Sequence, residues 1–153
     1  MTTLGRRWAR AGNRIGVWLY RTLDGRFSSG SKKVQVLLVT VPGRRSGLPR
    51  STCVRYLDTG AGLVVWGTGS GSVRDPDWFR NLRAADLADV QVGDRHLRMR
   101  PRELLGAERD ATWEELILAE APEVRKYAHR AGRRIPVAVL TPDGGDANEA
   151  PSR

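Results

Sequence analysis

The stretch VQVLLVTVPGRRSGLPRSTCVRYL, residues 34–57, limits the fold more than any other part of this sequence. Two runs rich in β-branched and aromatic residues flank a loop holding Pro42, Gly43, Gly47 and Pro49, so the segment reads as two strands, near Lys33 to Val41 and Arg50 to Leu57, paired as a hairpin. A two-residue turn would join them more simply. The longer loop instead carries Arg44, Arg45 and Arg50 with no acid among them, which makes it either a solvated turn or a site for an anion.

The rest of the chain repeats the hairpin logic. A third strand is expected near Leu63 to Gly67. A helix follows in DPDWFRNLRAAD, with Asp75 as its cap, Pro76 at its first position and Trp78, Phe79 and Leu82 on its apolar face. DVQV and RHLRMRPREL form a second hairpin about Gly93 and Asp94, a longer helix runs through AERDATWEELILAEA to Pro122, and PEVRKYAHRAG offers a shorter one. RIPVAVL closes the series as a last strand. Short strands in hairpin order with inserted helices predict an antiparallel α+β barrel and argue against a doubly wound parallel sheet. The expected organisation is a basic N-terminal helix and linker over residues 1–33, a barrel over 34–142 and a polar, disordered tail over 143–153.

Composition narrows the function classes. The 153 residues suit one domain, and 26 Lys and Arg against 17 Asp and Glu leave a net charge of +9, which favours nucleic acid, a phospholipid surface or a small polyanion. A nucleic-acid role is disfavoured because the basic residues follow no helix-turn-helix or RNA-recognition pattern. Cys53 is the one cysteine, so no intrachain disulfide forms, and His96 and His129 lack metal-ligand spacing; no metal site is expected. No apolar run approaches the roughly 20 residues of a membrane span, and the N-terminus lacks the form of a secretory signal, which predicts a cytoplasmic protein.

Residues 1–33 hold eight basic residues and one acid. Leu4, Trp8, Ala11, Ile15, Trp18 and Leu19 fall on one side of a helix ringed by Arg6, Arg7, Arg10, Arg14 and Arg21. Such a helix either lies on an anionic bilayer at the inner face of the membrane or packs on the domain with its basic face solvated.

The glycine-rich GTGSGS, Gly67 to Ser72, fails as a dinucleotide fingerprint, because Ser72 stands at the third glycine position and no βαβ unit surrounds it. It also lacks the Lys-Ser/Thr ending of a phosphate loop. Its backbone N–H groups can still approach a ligand, or it is a flexible turn. No nucleophile elbow, HExxH or spaced carboxylate pair is present, so an enzyme with this sequence relies on a cofactor for its chemistry and no catalytic residue is assigned.

In order, VLLVTVPGRRSGLPRS, Arg55-Tyr56, the glycine-rich strand end, DPDWFRNL and RRIPVAVLTP resemble the deazaflavin-dependent nitroreductase family of split-barrel proteins, over Val36 to Pro142. The resemblance implies an FMN-binding-type split β-barrel that binds coenzyme F420, an 8-hydroxy-5-deazaflavin with a phospholactyl oligoglutamate tail. It implies hydride transfer from the reduced ring to a small organic acceptor: a quinone, a nitroaromatic or an activated alkene. Arg44, Arg45 and Arg50 would then meet the anionic tail. Ser46, Ser51, Thr52, Cys53 and Val54 would line the ribityl chain and ring edge, Gly67, Thr68 and Gly69 would form the turn at the ring, and Trp78 and Asn81 would sit on the helix closing the site. Tyr127 is the candidate substrate contact. The chain departs from the family pattern at Gly69, where a lysine is usual, at Cys53, where a proline is usual, and at Ala121 and Val124, where tyrosines occur. A second reading is a non-catalytic binder or carrier of F420 or of another anionic ligand. Oligomeric state is not legible.

Overall fold

A computed structural model of the chain describes residues 34–144. The N-terminal helix expected over residues 1–33, and residues 145–153 of the tail, lie outside the described residues. Six strands form a closed barrel: β1 (Val34–Pro42), β2 (Pro49–Asp58), β3 (Leu63–Trp66), β4 (Ala88–Val92), β5 (Arg95–Leu104) and β6 (Val137–Pro142), in the circular order β1-β2-β3-β6-β5-β4. Every neighbouring pair is antiparallel, as the hairpin order predicted.

The two-residue side-chain period assigns each strand residue a face. Leu37, Val39 and Val41 of β1 and Val54 and Tyr56 of β2 point into the barrel, where they meet Leu63, Val65, Val90, Met99 and Leu140. The alternate residues Leu57, Val64, Trp66 and Val137 point outward and form a second core with Trp113, Ile117, Leu118, Val124 and Ile135. The sequence therefore supports two apolar layers, one inside the barrel and one between its β3–β6 flank and the C-terminal helices. Each fully buried aliphatic side chain contributes roughly 1.5–3 kcal/mol, so these layers outweigh any one surface ion pair.

Among the described residues three longer helical segments are attached, besides a single 3-10 turn at Gly69–Gly71. α1 (Asp77–Ala84) seats Phe79 and Leu82 in the barrel interior. Pro76, not Asp75, stands at its N-cap, and no side chain caps the helix. The reason lies in the partners of Asp75: its carboxylate accepts from Arg133 at 2.6 Å and from Arg83 at 2.9 Å, charge-assisted bonds that exceed one backbone cap. The helix expected up to Pro122 forms as α2 (Gly106–Ala111), continued by a π-helical turn over Thr112–Ile117 and a last turn at Leu118–Glu120. In that wide turn the Leu118 N–H reaches the Trp113 carbonyl, and Trp113, Ile117 and Leu118 share the outer core. α3 (Val124–Ala131) ends at Gly132, whose φ of 61° is the left-handed cap conformation. Among the described residues no helix is long and apolar enough to cross a membrane.

Candidate functional site

Strand polarity places the informative loops together. β1 ends and β2 starts at the Pro42–Pro49 pair, β3 ends at Trp66 beside Val137, and β5 ends at Leu104 beside the same Val137. The arginine loop 43–48, the glycine turn with α1, and the segment carrying α2 and α3 consequently all leave from one rim of the barrel. The opposite rim carries the tight turns at 59–62 and 93–94.

The arginine loop is a built feature. The Gly43 N–H donates to the Leu48 carbonyl at 2.7 Å and the Gly47 N–H to the Gly43 carbonyl at 2.8 Å; the Leu48 N–H donates to Ser46 Oγ at 3.1 Å. Gly47 adopts a φ of 70°, the left-handed conformation that favours glycine. Arg44 anchors the loop to α1. Its backbone N–H and its Nη1 both donate to Asn81 Oδ1, at 3.1 and 2.8 Å, and its Nη2 donates to Asp77 Oδ1 at 3.0 Å. The loop therefore does have a compensating acid, supplied in space by Asp77 from 33 residues away. Asn81, at 6% exposure, spends its acceptor on Arg44. Arg45 and Arg50 are exposed, and neither makes an ion pair among the described residues. Of the three arginines, one holds the loop and two are open to an anion.

The next strand residues divide between faces. Thr52 and Val54 stand opposite Val39 and Leu37 and share their interior face, with Val54 in the core. Ser51 and Cys53 stand opposite Thr40 and Leu38 on the outside, where Ser51 Oγ and Thr40 Oγ1 lie 2.7 Å apart. Burial raises the Cys53 thiol above its ordinary pKa, so the neutral thiol is favoured there.

Gly67, Thr68 and Gly69 approach the same helix. A Cβ at Gly67 would lie 3.2 Å from Phe79 Cβ and Pro76 Cδ, so the absence of a side chain lets β3 run tightly into α1. Gly69, Ser70 and Gly71 all take positive φ, at 54°, 56° and 87°. A Cβ on Gly69 would come within 2.4 Å of Ser72 Oγ. Glycine at the family's lysine position is thus favoured by this left-handed backbone, and a lysine there would be strained against Ser72.

Trp78 is half-buried, edge-on to Phe79 with ring centroids 5.4 Å apart, and packs against the barrel core. Tyr127 is half-buried on α3, with Lys126 Nζ 5.0 Å and the Arg130 guanidinium 5.9 Å from its ring centre. The Arg130 side chain in turn lines Gly71, where a Cβ would lie 2.7 Å from its Cδ, so α3 brings Tyr127 near the glycine turn. Ala121 and Val124 are 0% and 1% exposed within the outer core and offer no surface to a ligand.

Sequence reasoning passed over Arg133. Its Nε donates to the Ser72 carbonyl at 2.9 Å, Nη1 to Asp75 at 2.6 Å, and Nη2 to the Gly67 and Thr68 carbonyls at 3.1 and 3.2 Å. The available signal was its place at the head of the RRIPV run. Asp75 continues to Arg83, which forks onto Glu103 at 2.7 and 2.9 Å. Those carboxylates hold the Arg83 pKa well above its ordinary value, the Glu103 hydrogen bond contributing most. No cluster of metal-ligating side chains occurs among the described residues.

Comparison with known proteins follows the same outline. The family of F420H(2)-dependent quinone reductases matches residues 12–142. An F420H(2)-dependent quinone reductase of Mycobacterium tuberculosis is 25% identical over 137 residues, covering 83% of this chain and 92% of that one. A putative enzyme of the same description from Mycobacterium bovis matches equally. Among solved structures, an F420-H2 dependent reductase of the FDR-A type superposes with a TM-score of 0.61 at 28% identity, over 69% of this chain and 92% of its own. A domain-swapped dimer gives a TM-score of 0.61 at 26% identity, over 89% and 98%.

Proposed function

Because the chain belongs to the F420H(2)-dependent quinone reductase family, we propose that it reduces a quinone-type acceptor at the rim where the arginine loop, the glycine turn and α1 meet. The protein is an F420-dependent oxidoreductase of antiparallel barrel fold; the assignment of residues and acceptor is our reading. The single observation that carries it is the division of labour in the loop. Arg44 is consumed by Asn81 and Asp77, while Arg45 on the loop so fixed and Arg50 at the start of β2 have no ion-pair partner among the described residues.

The donor set fits the coenzyme. A phosphate followed by several carboxylates is matched by two exposed guanidinium groups, Arg45 on the fixed loop and Arg50 at the start of β2, each able to bind a carboxylate or phosphate in bidentate fashion. A planar ring is matched by the backbone N–H groups of Thr68 and Gly69, which have no acceptor among the described residues. In this reading Arg45 and Arg50 hold the tail, and Ser46 and Ser51 to Val54 border the ribityl chain and ring edge, mostly through backbone. Thr68 and Gly69 meet the ring, and Trp78 shields it from water. When bound, the reduced deazaflavin supplies the hydride. Tyr127 stacks on the acceptor, its ring fixed beside Lys126 and Arg130. Residues 1–33, with their eight basic residues and amphipathic pattern, would hold the protein reversibly on an anionic membrane, where lipid-soluble quinones reside.

The test is a fluorescence titration with F420 beside FMN and NADPH, followed by oxidation of reduced F420 in the presence of quinones, nitroaromatics and activated alkenes. Preferential F420 binding and acceleration with quinones are expected. Tighter binding of FMN than of F420 would remove the coenzyme assignment, and tight F420 binding without acceleration of any acceptor would favour a carrier.

A further inference from the structure

We infer that Arg133 is a positioning residue, which aims the backbone amides of Thr68 and Gly69 at the coenzyme ring; this rests on the coenzyme reading above. In a trans peptide the C=O and the following N–H point in opposite directions. Arg133 Nη2 accepts no hydrogen bond and engages the turn only as a donor, to the Gly67 carbonyl at 3.1 Å and the Thr68 carbonyl at 3.2 Å. The two N–H groups paired with those carbonyls belong to Thr68 and Gly69. They must therefore face away from the guanidinium, out of the 132–136 connection. Neither has an acceptor among the described residues, Gly69 is exposed and Thr68 half-exposed.

By itself the turn holds only the Thr68 carbonyl of the two. Its internal bonds are Gly71 N–H to the Thr68 carbonyl at 3.0 Å and Ser72 N–H to the Gly69 carbonyl at 3.1 Å, with three successive residues in positive φ. Ser70 takes that conformation without glycine's freedom, which costs energy unless surrounding contacts enforce it. Arg133 supplies the enforcement from both ends, at Gly67 and Thr68 on one side and Ser72 on the other. The guanidinium is itself fixed by Asp75, and Asp75 by the Arg83–Glu103 pair on α1 and β5. Its side chain is 15% exposed, so water competes little for its donors. The chain thus carries a rigid fork whose purpose is legible from the direction it gives two unpaired amides.

The role separates cleanly from tail binding, because it acts at the ring end. Wild type, Arg133→Ala, Arg133→Lys and Arg45→Ala are titrated with F420 and with its tail-free ribityl deazaflavin, and each is checked by thermal melting. Arg133→Ala is expected to weaken both ligands by the same factor, about tenfold, the loss of one to two hydrogen bonds. Arg133→Lys, which keeps the charge toward Asp75 and one carbonyl contact but loses the fork, is expected to recover part of the affinity for both. Arg45→Ala is expected to weaken the tailed ligand only. Where Arg133→Ala does not fold, Arg133→Lys carries the comparison. Folded Arg133 variants that bind the tail-free deazaflavin as wild type does overturn the inference alone, as does a loss confined to the tailed ligand. A wild-type protein that binds neither ligand overturns the coenzyme reading, and this inference with it.

Discussion

Replacing Asn81 by alanine tests whether the arginine loop is a preformed element or merely a turn. One amide oxygen of Asn81 accepts two bonds from Arg44, from the backbone N–H at 3.1 Å and from Nη1 at 2.8 Å, and Asn81 is 6% exposed. Its removal leaves a partly buried backbone donor and a guanidinium donor without acceptor. An unsatisfied donor of this kind costs about 1–3 kcal/mol. For a chain of this size each kcal/mol lowers the melting temperature by about 2–4 °C, so Asn81→Ala should melt roughly 2–12 °C lower. Asn81→Asp keeps an acceptor at the same position and should lose less than about 1 kcal/mol. Asp77→Asn is the control, because its ion pair with Arg44 is 82% exposed on the Asp77 side and should matter by less than about 1 kcal/mol. Differential scanning calorimetry reads all three. Asn81→Ala melting within 1 °C of wild type, or Asp77→Asn proving the more damaging change, refutes the view that the amide and not the ion pair fixes the loop.

Arg45→Ala should weaken F420 binding roughly two- to fivefold and increasingly with tail length, because Arg45 is an exposed cation on a fixed loop; equal losses for short and long tails would move it off the tail's path. Trp78→Ala should lower coenzyme affinity or the rate of oxidation of reduced F420, and a variant that matches wild type in both assays makes Trp78 a packing residue alone. Cys53 should react with a maleimide more slowly in the native protein than in urea at pH 8, since burial keeps the thiol protonated; equal rates contradict that environment. Full-length protein should sediment with anionic vesicles and be released by salt, each basic residue contributing on the order of 1 kcal/mol, while a form lacking residues 1–30 should not; equal sedimentation removes the membrane reading.

The barrel was legible because its determinants are local: alternating β-branched residues, the Gly93-Asp94 turn and Gly132 each act within a few residues. The contacts that shape the site were not, since they join distant segments. Nothing in the arginine loop announces that Asp77 will neutralise one of its arginines, and the sequence suggested no compensating acid at all. Asp75 has the spacing of a helix cap, yet two guanidinium groups from Arg83 and Arg133 outbid the backbone for it. The π-helical turn escaped notice because a helix with one extra residue keeps nearly the same apolar pattern as a regular one. Gly69 read as a lost lysine, whereas its φ of 54° and the nearness of Ser72 make glycine the favoured residue for this turn.

Net charge illustrates the same gap between composition and place. A balance of +9 says that the chain prefers anions without saying where. Three successive outward-facing arginines on β5, Arg98, Arg100 and Arg102, look in sequence like a stronger anion site than the loop does. Each of them meets a carboxylate, Asp89 at 4.0 Å, Asp143 at 3.0 Å and Glu108 at 2.6 Å, so the flank of the barrel is locally balanced. On the rim the pattern reverses: Asp77 is taken by Arg44, Asp75 is taken by Arg83 and Arg133, and Arg45 and Arg50 have no ion-pair partner among the described residues. Unbalanced charge therefore collects at the end of the barrel where the glycine turn also exposes its amides. A ligand with a polyanionic tail and a flat polar ring satisfies both features at once, and neither the arginine flank nor the tight-turn rim offers that combination.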